Sequence, residues 1–136
     1  MTAQEFKANV PLRWSDQDIN GHVNNAKIVT AIEESRIFWL NKEAATKGLT
    51  SFNVPKVVVS LEVQYKRPVS GVDDLTIYIC TEKIGNTSFT LRYRGEQDGK
   101  VAFIARTVLV TLDRETQRPR RLDEKEIAYL RSYTAE

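Results

Sequence analysis

Residues 14–36 read WSDQDINGHVNNAKIVTAIEESR, and within them the chain passes from a polar loop into a helix pattern. Residues 14–25 hold two aspartates, three asparagines, a glycine and His22, the chain's only histidine. From Asn25 onward, Ile28, Ala31, Ile32, Ser35, Phe38 and Trp39 recur at i, i+3, i+4 spacing, which predicts one face of a helix. Asn24 or Asn25 is suited to cap its start. At the far end Ile37, Phe38, Trp39 and Leu40 are consecutive and cover more than half the circumference, so this helix needs cover on most sides. A sheet wrapped around it meets that need. Gly48 is a plausible stop after the looser NKEAATK segment.

Before the loop, Phe6 to Trp14 places Phe6, Val10, Leu12 and Trp14 largely at alternate positions, interrupted by Pro11. That predicts a first strand at a sheet edge or with a bulge. After the helix, Val54 to Pro68 alternates through Val57, Val59, Leu61, Val63 and Tyr65, with Val58 on the other face. Pro68, Gly71 and Asp73-Asp74 read as a turn, and Leu75, Ile77 and Ile79 as the next strand, closed by Gly85-Asn86. Phe89, Leu91 and Tyr93 alternate with Thr90, Arg92 and Arg94 in a further strand. Asp98-Gly99 is a hairpin signal before a long strand from Val101 to Leu112. Asp123 to Tyr133 reads as a short helix, with acids at its start and Arg131 near its end to suit the helix dipole. The expected class is α+β: a curved antiparallel meander of about five strands around one long central helix, with a short C-terminal helix, as a single domain over residues 1–136. An unpaired strand edge in such a sheet would be a liability. We therefore expect a homodimer, or a dimer of dimers, formed by joining edges.

Twenty Lys and Arg against eighteen Asp and Glu leave +2, so no global field favours nucleic acid. No apolar run approaches the roughly 20 residues of a membrane span. The start, MTAQEFKANV, lacks an apolar core of signal-peptide length. A single cysteine, Cys80, excludes an internal disulfide, and the expected location is the cytoplasm. Cys80 sits in the apolar run Ile77-Tyr78-Ile79-Cys80 and reads as packing. One His and one Cys do not make a zinc shell, no glycine-rich phosphate loop leads from strand to helix, and no G-x-S-x-G elbow is present. The expectation is no metal and no cofactor.

What remains is Asp18 to Asn25 at a helix start. A carboxylate can act as nucleophile or as general base toward water. The free N–H groups and positive end of the following helix can stabilise an oxyanion. Together these are the two parts of an acyl hydrolase. Asn20 is placed to hold water or a carbonyl, and His22 to orient Asp18 or donate a proton. The same residues also make an ordinary turn with an asparagine cap, and residue types alone leave both readings standing.

The segment Arg13 to Asn25, followed by Glu33-Glu34-Ser35-Arg36, resembles the signature of hotdog-fold acyl-CoA thioesterases of the 4-hydroxybenzoyl-CoA thioesterase type. Tyr65-Lys66-Arg67-Pro68, Gly71-Val72-Asp73-Asp74, Gly85-Asn86-Thr87-Ser88 and Asp98-Gly99-Lys100 are similar to that family as well. The resemblance implies that Asp18, the second aspartate of D-x-D-x-x-G, is the catalytic carboxylate, and that the Asn25 backbone N–H polarises the thioester carbonyl. The set Asp18, Asn20 and His22 is also similar to the D-x-N-x-H pattern of plant acyl-carrier-protein thioesterases, so the resemblance leaves CoA or a carrier protein as partner. Ile28 and Ala31 stand where relatives often have aromatics, at positions that shape the acyl pocket. Lys66, Arg67, Arg118, Arg120 and Arg121 are candidates for the phosphates of the pantetheine arm, and Ser88 (with Thr87) for its amides. Arg92, Arg94 and Arg106 are expected as a basic stripe on the outer sheet face. Two rival functions share this pattern: a hydratase or dehydratase using His22 on a similar thioester, and a non-catalytic acyl-CoA-binding module.

Overall fold

The computed structural model describes residues 4–70 and 73–134. Five strands, β1 (Phe6–Val10), β2 (Lys56–Tyr65), β3 (Leu75–Ile84), β4 (Ser88–Gln97) and β5 (Lys100–Thr111), form one antiparallel sheet in the order β1-β3-β4-β5-β2. The helix α1 (Asn25–Ile37) continues through a π-helical stretch (Phe38–Glu43) into a last turn, α2 (Ala44–Thr46). A short helix α3 (Glu124–Arg131) follows the sheet. One helix on one face of one sheet, with a short terminal helix, is the layout the sequence implies.

The helix begins where the asparagines put it. Asn24 is the cap, and its side chain accepts the Ala26 N–H at 2.8 Å. Ile28, Ala31, Ile32 and Ser35 are buried as the spacing predicts. Phe38 departs from prediction at 46% exposed, and Ile37 is likewise half exposed, while Trp39 and Leu40 are buried. A π turn holds more residues than an α turn and so rotates the residues beyond it, which lets Trp39 and Leu40 take the core positions. Within the chain, the four-residue apolar run is therefore covered on one side only. Gly48, at φ +80°, ends the helix in the left-handed conformation that suits glycine.

The first strand stops at Val10 rather than running to Trp14, because Pro11 has no N–H for the ladder and Trp14–Asp16 closes into a 3-10 turn. The plain meander also needs correction. β3, β4 and β5 are consecutive neighbours, but β2 pairs with β5 at the far edge. Residues 66–70 thus lead off β2 into a crossing connection over the sheet end instead of a tight turn, and the predicted turn residue Gly71, with Val72, lies outside the described residues. Gln97, at the end of β4, pins this segment: its side chain accepts from the Ser70 N–H at 3.0 Å and donates to the carbonyls of Ser70 at 3.0 Å and Asp73 at 3.2 Å.

A register shift between Val58 and Ser60 marks a bulge at Val59. Cα partners across an antiparallel pair share a face. Val58, Leu61, Val63 and Tyr65 oppose Leu109, Thr107, Ala105 and Phe103, so Val58 joins the inner face and Val57 does not, the reverse of the simple alternation. α1 packs against β1 and β3. On the edge strand β2, Val57, Val58, Val59, Leu61 and Tyr65 are 42–59% exposed.

On the outer face, Arg92, Arg94 and Arg106 do line up, but as a mixed network. Arg94 pairs with Glu5 and Glu96, each at 2.7 Å, while Arg92 and Arg106 share Glu82. Cys80 is buried and unpaired with any thiol, and burial pushes its thiol up, as suits packing rather than nucleophilic attack.

Candidate active site

The loop before α1 is folded by its own side chains. The Asp16 carboxylate accepts the Arg13 N–H at 2.9 Å and Arg13 Nη2 at 3.2 Å, and the Arg13 amide holds its carboxyl below the usual range. Asp16 is thereby committed to the loop. Asp18 is not. Its N–H donates to the His22 carbonyl at 2.7 Å, its carbonyl accepts the Gly21 N–H at 3.0 Å, and Gly21 takes φ +75° to close the turn. Asp18 Oδ1 accepts the Asn20 N–H at 2.9 Å, while Oδ2 has no hydrogen-bond partner among the described residues.

The crossing segment docks on this loop. Val23 N–H donates to the Val69 carbonyl at 2.7 Å, His22 bridges to Ser70, and the Asn24 N–H reaches the Asp16 carbonyl at 3.0 Å. Lys66 and Arg67 are set by their amides, which both donate to the Ala102 carbonyl, at 2.7 and 3.0 Å. The result is a cleft of about 380 Å³ lined by Asp18, Asn20, His22, Asn25, Lys66 and Arg67, with Ile28 and Tyr65 as its apolar wall. In the first turn of α1, Ala26 N–H is taken by the Asn24 side chain, and Lys27 and Ile28 N–H by the Asn24 carbonyl. Asn25 N–H alone of these four has no acceptor among the described residues. An open amide at a helix start is an oxyanion donor, and a carboxylate borders the same cleft.

The structure thus brings together six of the ten candidates. The other four lie elsewhere in the chain. Ser88 begins β4, whose other end at Gln97 pins Ser70, so it stands roughly 30 Å from the cleft by strand rise. Arg118, Arg120 and Arg121 lie at that same far end, where the Arg120 N–H donates to the Thr111 carbonyl at 2.9 Å. Arg120 is also engaged by Glu126, at 2.7 and 2.9 Å. His22 is exposed, and its ring makes no hydrogen bond among the described residues; Asn20 N–H, not His22, holds the Asp18 carboxylate. The sequence alone assigns no site role to Tyr65 or Gln97, because their places depend on the strand order that carries the chain from β2 across to β3. Among the described residues, no group of three or more His, Cys, Asp or Glu is placed to hold a metal.

The fold agrees with what comparison with known proteins finds. Residues 12–129 match the model of the thioesterase-like superfamily, and the chain belongs to that family of thioester hydrolases with the hotdog fold. It is 29% identical over 115 residues to the long-chain acyl-CoA thioesterase FadM of Escherichia coli (strain K12), covering 83% of this chain and 87% of that one. Among solved structures, a predicted thioesterase from Bacillus stearothermophilus superposes with a TM-score of 0.83 at 30% identity, covering 97% of this chain and 98% of that one. A thioesterase from Thermus thermophilus, complexed with coenzyme A and Zn, gives 0.77 at 28% identity, with 93% and 92% covered.

Proposed function

We propose that the protein hydrolyses acyl-CoA thioesters, with Asp18 as the catalytic carboxylate and Asn25 N–H as the oxyanion donor. The observation that carries this reading is the pairing of Asp18, with one carboxylate oxygen free, and an open helix-start amide on one cleft. Asp18 takes a proton from water as the hydroxide adds to the thioester carbonyl. The developing oxyanion is met by Asn25 N–H and the positive end of α1. Collapse breaks the C–S bond, and the proton passes to the leaving thiolate, giving acid and free thiol. Attack by Asp18 itself, through an anhydride, uses the same geometry. Asn20 and His22 border the reacting centre, and Lys66 and Arg67 are exposed at its rim, where they suit the phosphates of CoA.

We further propose a dimer joined along β2. Its outer edge is unpaired among the described residues and its apolar side chains are half exposed. Antiparallel pairing of two β2 strands would set the far end of the second copy beside the cleft of the first. That would return Arg118, Arg121 and Ser88 to the site from the neighbouring subunit. No helix among the described residues is long and apolar enough to cross a membrane, and a lone buried Cys80 is in keeping with a reducing cytoplasm.

The test is incubation with saturated acyl-CoA and with enoyl-CoA, following thiol release and loss of the enoyl absorbance separately. Thiol release from both without hydration is expected. Hydration without thiol release would favour the hydratase alternative, and tight binding with neither would favour a binding module.

A further inference from the structure

The cleft is lined from two stretches of chain, the loop with the first turn of α1 and residues 65–69 where β2 ends. Asp18 and Asn25 belong to the first. The second brings the hydroxyl of Tyr65, and no other described residue of the lining carries one. Tyr65 is the last residue of β2 and stands on its inner face, at the rung of the fully buried Phe103. The backbone just beyond it is held as well, because the Lys66 and Arg67 N–H groups share the Ala102 carbonyl. The ring is therefore carried into the cleft by the sheet and not by a loop.

The other tyrosines show what a hydroxyl in this fold ordinarily does. Tyr93 Oη bonds Thr107 Oγ1 at 2.7 Å, Tyr129 Oη donates to the Trp39 carbonyl at 2.7 Å, and Tyr133 Oη accepts from Lys47 Nζ at 2.8 Å. Tyr78 is on the outer face, with the Arg94 guanidinium 4.3 Å from its ring centre. Tyr65 Oη has no hydrogen-bond partner among the described residues. Of the five tyrosines it is the one that combines an unpartnered hydroxyl with a place in the cleft. Burial pushes its phenol up from the ordinary 10.0, so near neutral pH it keeps its proton and can donate.

We propose that Tyr65 is a further catalytic residue, whose hydroxyl gives the thioester carbonyl oxygen a second hydrogen bond beside that of the Asn25 N–H. The inference rests on the reading of Asp18 and Asn25 as the reacting end. Asn25 N–H by itself is one donor, and a developing oxyanion has room for more than one. As hydroxide adds to the carbonyl carbon, the carbonyl π pair moves onto oxygen, where amide and phenol both meet it. The phenol keeps its proton throughout. Collapse returns the pair, the C–S bond breaks, and the proton held by Asp18 goes to the thiolate.

The experiment uses Tyr65→Phe, which keeps the ring and its packing and removes the donor alone. Its unfolding transition is expected to be unchanged, since the hydroxyl bonds nothing in the protein. With saturated acyl-CoA, kcat is expected to fall roughly 10²–10³-fold, the scale of one oxyanion donor. KM is expected to change less than about threefold, because the bond strengthens chiefly in the transition state. A second readout needs no turnover: the infrared stretch of a carbon-labelled thioester carbonyl bound to Asp18→Asn protein. It is expected to lie lower than in water and to move back up when Tyr65→Phe is added. A fall in kcat under about tenfold, a rise in KM with kcat kept, a carbonyl stretch indifferent to Tyr65→Phe, or no bound thioester in either protein would overturn the proposal. Thiol release by the unaltered protein is scored separately. Its absence would sink the hydrolytic reading, while the carbonyl stretch still decides the role of Tyr65.

Discussion

Gln97 on β4 holds Ser70 at both its N–H and its carbonyl, each at 3.0 Å, and Ser70 in turn bridges to His22 in the loop that carries Asp18. The end of a central strand thus fixes the segment after β2, and that segment fixes the loop of the candidate site. Gln97→Leu keeps the size but loses all three hydrogen bonds. It is expected to lower kcat severalfold while KM changes less, with a loss of about 1–3 kcal/mol in denaturant unfolding from the backbone groups left unpaired. An unchanged kcat would show that the loop is held without Gln97.

β2 is the edge on which the proposed dimer depends. Leu61→Lys places a charge on its inner face, where Leu61 is 43% exposed. Light scattering is expected to report a dimer or larger for the unaltered chain and a shift toward monomer for the variant. A strictly monomeric unaltered chain would remove the edge-joined dimer.

The pair of Arg120 with the fully buried Glu126 is structural. Burial pushes the Glu126 carboxyl up, but hydrogen bonds from Arg120, the Asp123 amide and Ser51 outweigh it and carry the group below its ordinary 4.5. A depressed carboxyl contributes stability that is present above its unfolded value and lost as pH falls through the folded one. Stability is therefore expected to decline on acidification below about pH 4.5. Arg120→Met leaves the carboxylate unpaired and is expected to cost about 3–5 kcal/mol at neutral pH, and to flatten that acid limb. A cost below about 1 kcal/mol would place the pair among surface ion pairs.

Lys56 is expected to titrate at about 8, lowered by burial first and then by the charges of Arg120 and Arg36. Between about 8 and the ordinary 10.5 the unfolded chain holds the proton and the folded chain does not. Stability should then rise with pH across that window, and the gain be lost as pH falls through about 8. NMR of carbon-labelled lysine reads the titration directly, and an ordinary value for Lys56 would contradict the burial of its ammonium beside Arg36.

Local rules carried the reading a long way. Asn24 caps, Asp98 and Gly99 take the positive φ that their hairpin needs, and α3 starts with a capping box of Asp123 and Glu126. What was illegible is non-local. Val57, Val58 and Val59 are alike in size and branching, and no glycine among them marks the bulge that turns Val58 inward. Nothing local says that β2 passes β4 to reach β5, so the distances from Asp18 to Lys66 on one side and to Ser88 on the other could not be ranked. Arg118 and Arg121 looked equivalent to Lys66 and Arg67 because charge is visible in a sequence and the end of the sheet it occupies is not. Arg36 stood in view as part of the family-like segment. That Tyr93 and Glu33 stand beside it appears only in the structure.

The central claim is that Asp18 does the chemistry and Asp16 holds the loop. The most direct measurement is the rate of thiol release from acyl-CoA by Asp18→Asn protein whose unfolding transition is unchanged. A loss of roughly 10²–10⁴ in kcat is predicted, the scale of a positioned base. A fall of less than about tenfold in the folded variant would contradict the claim and move the base elsewhere in the cleft.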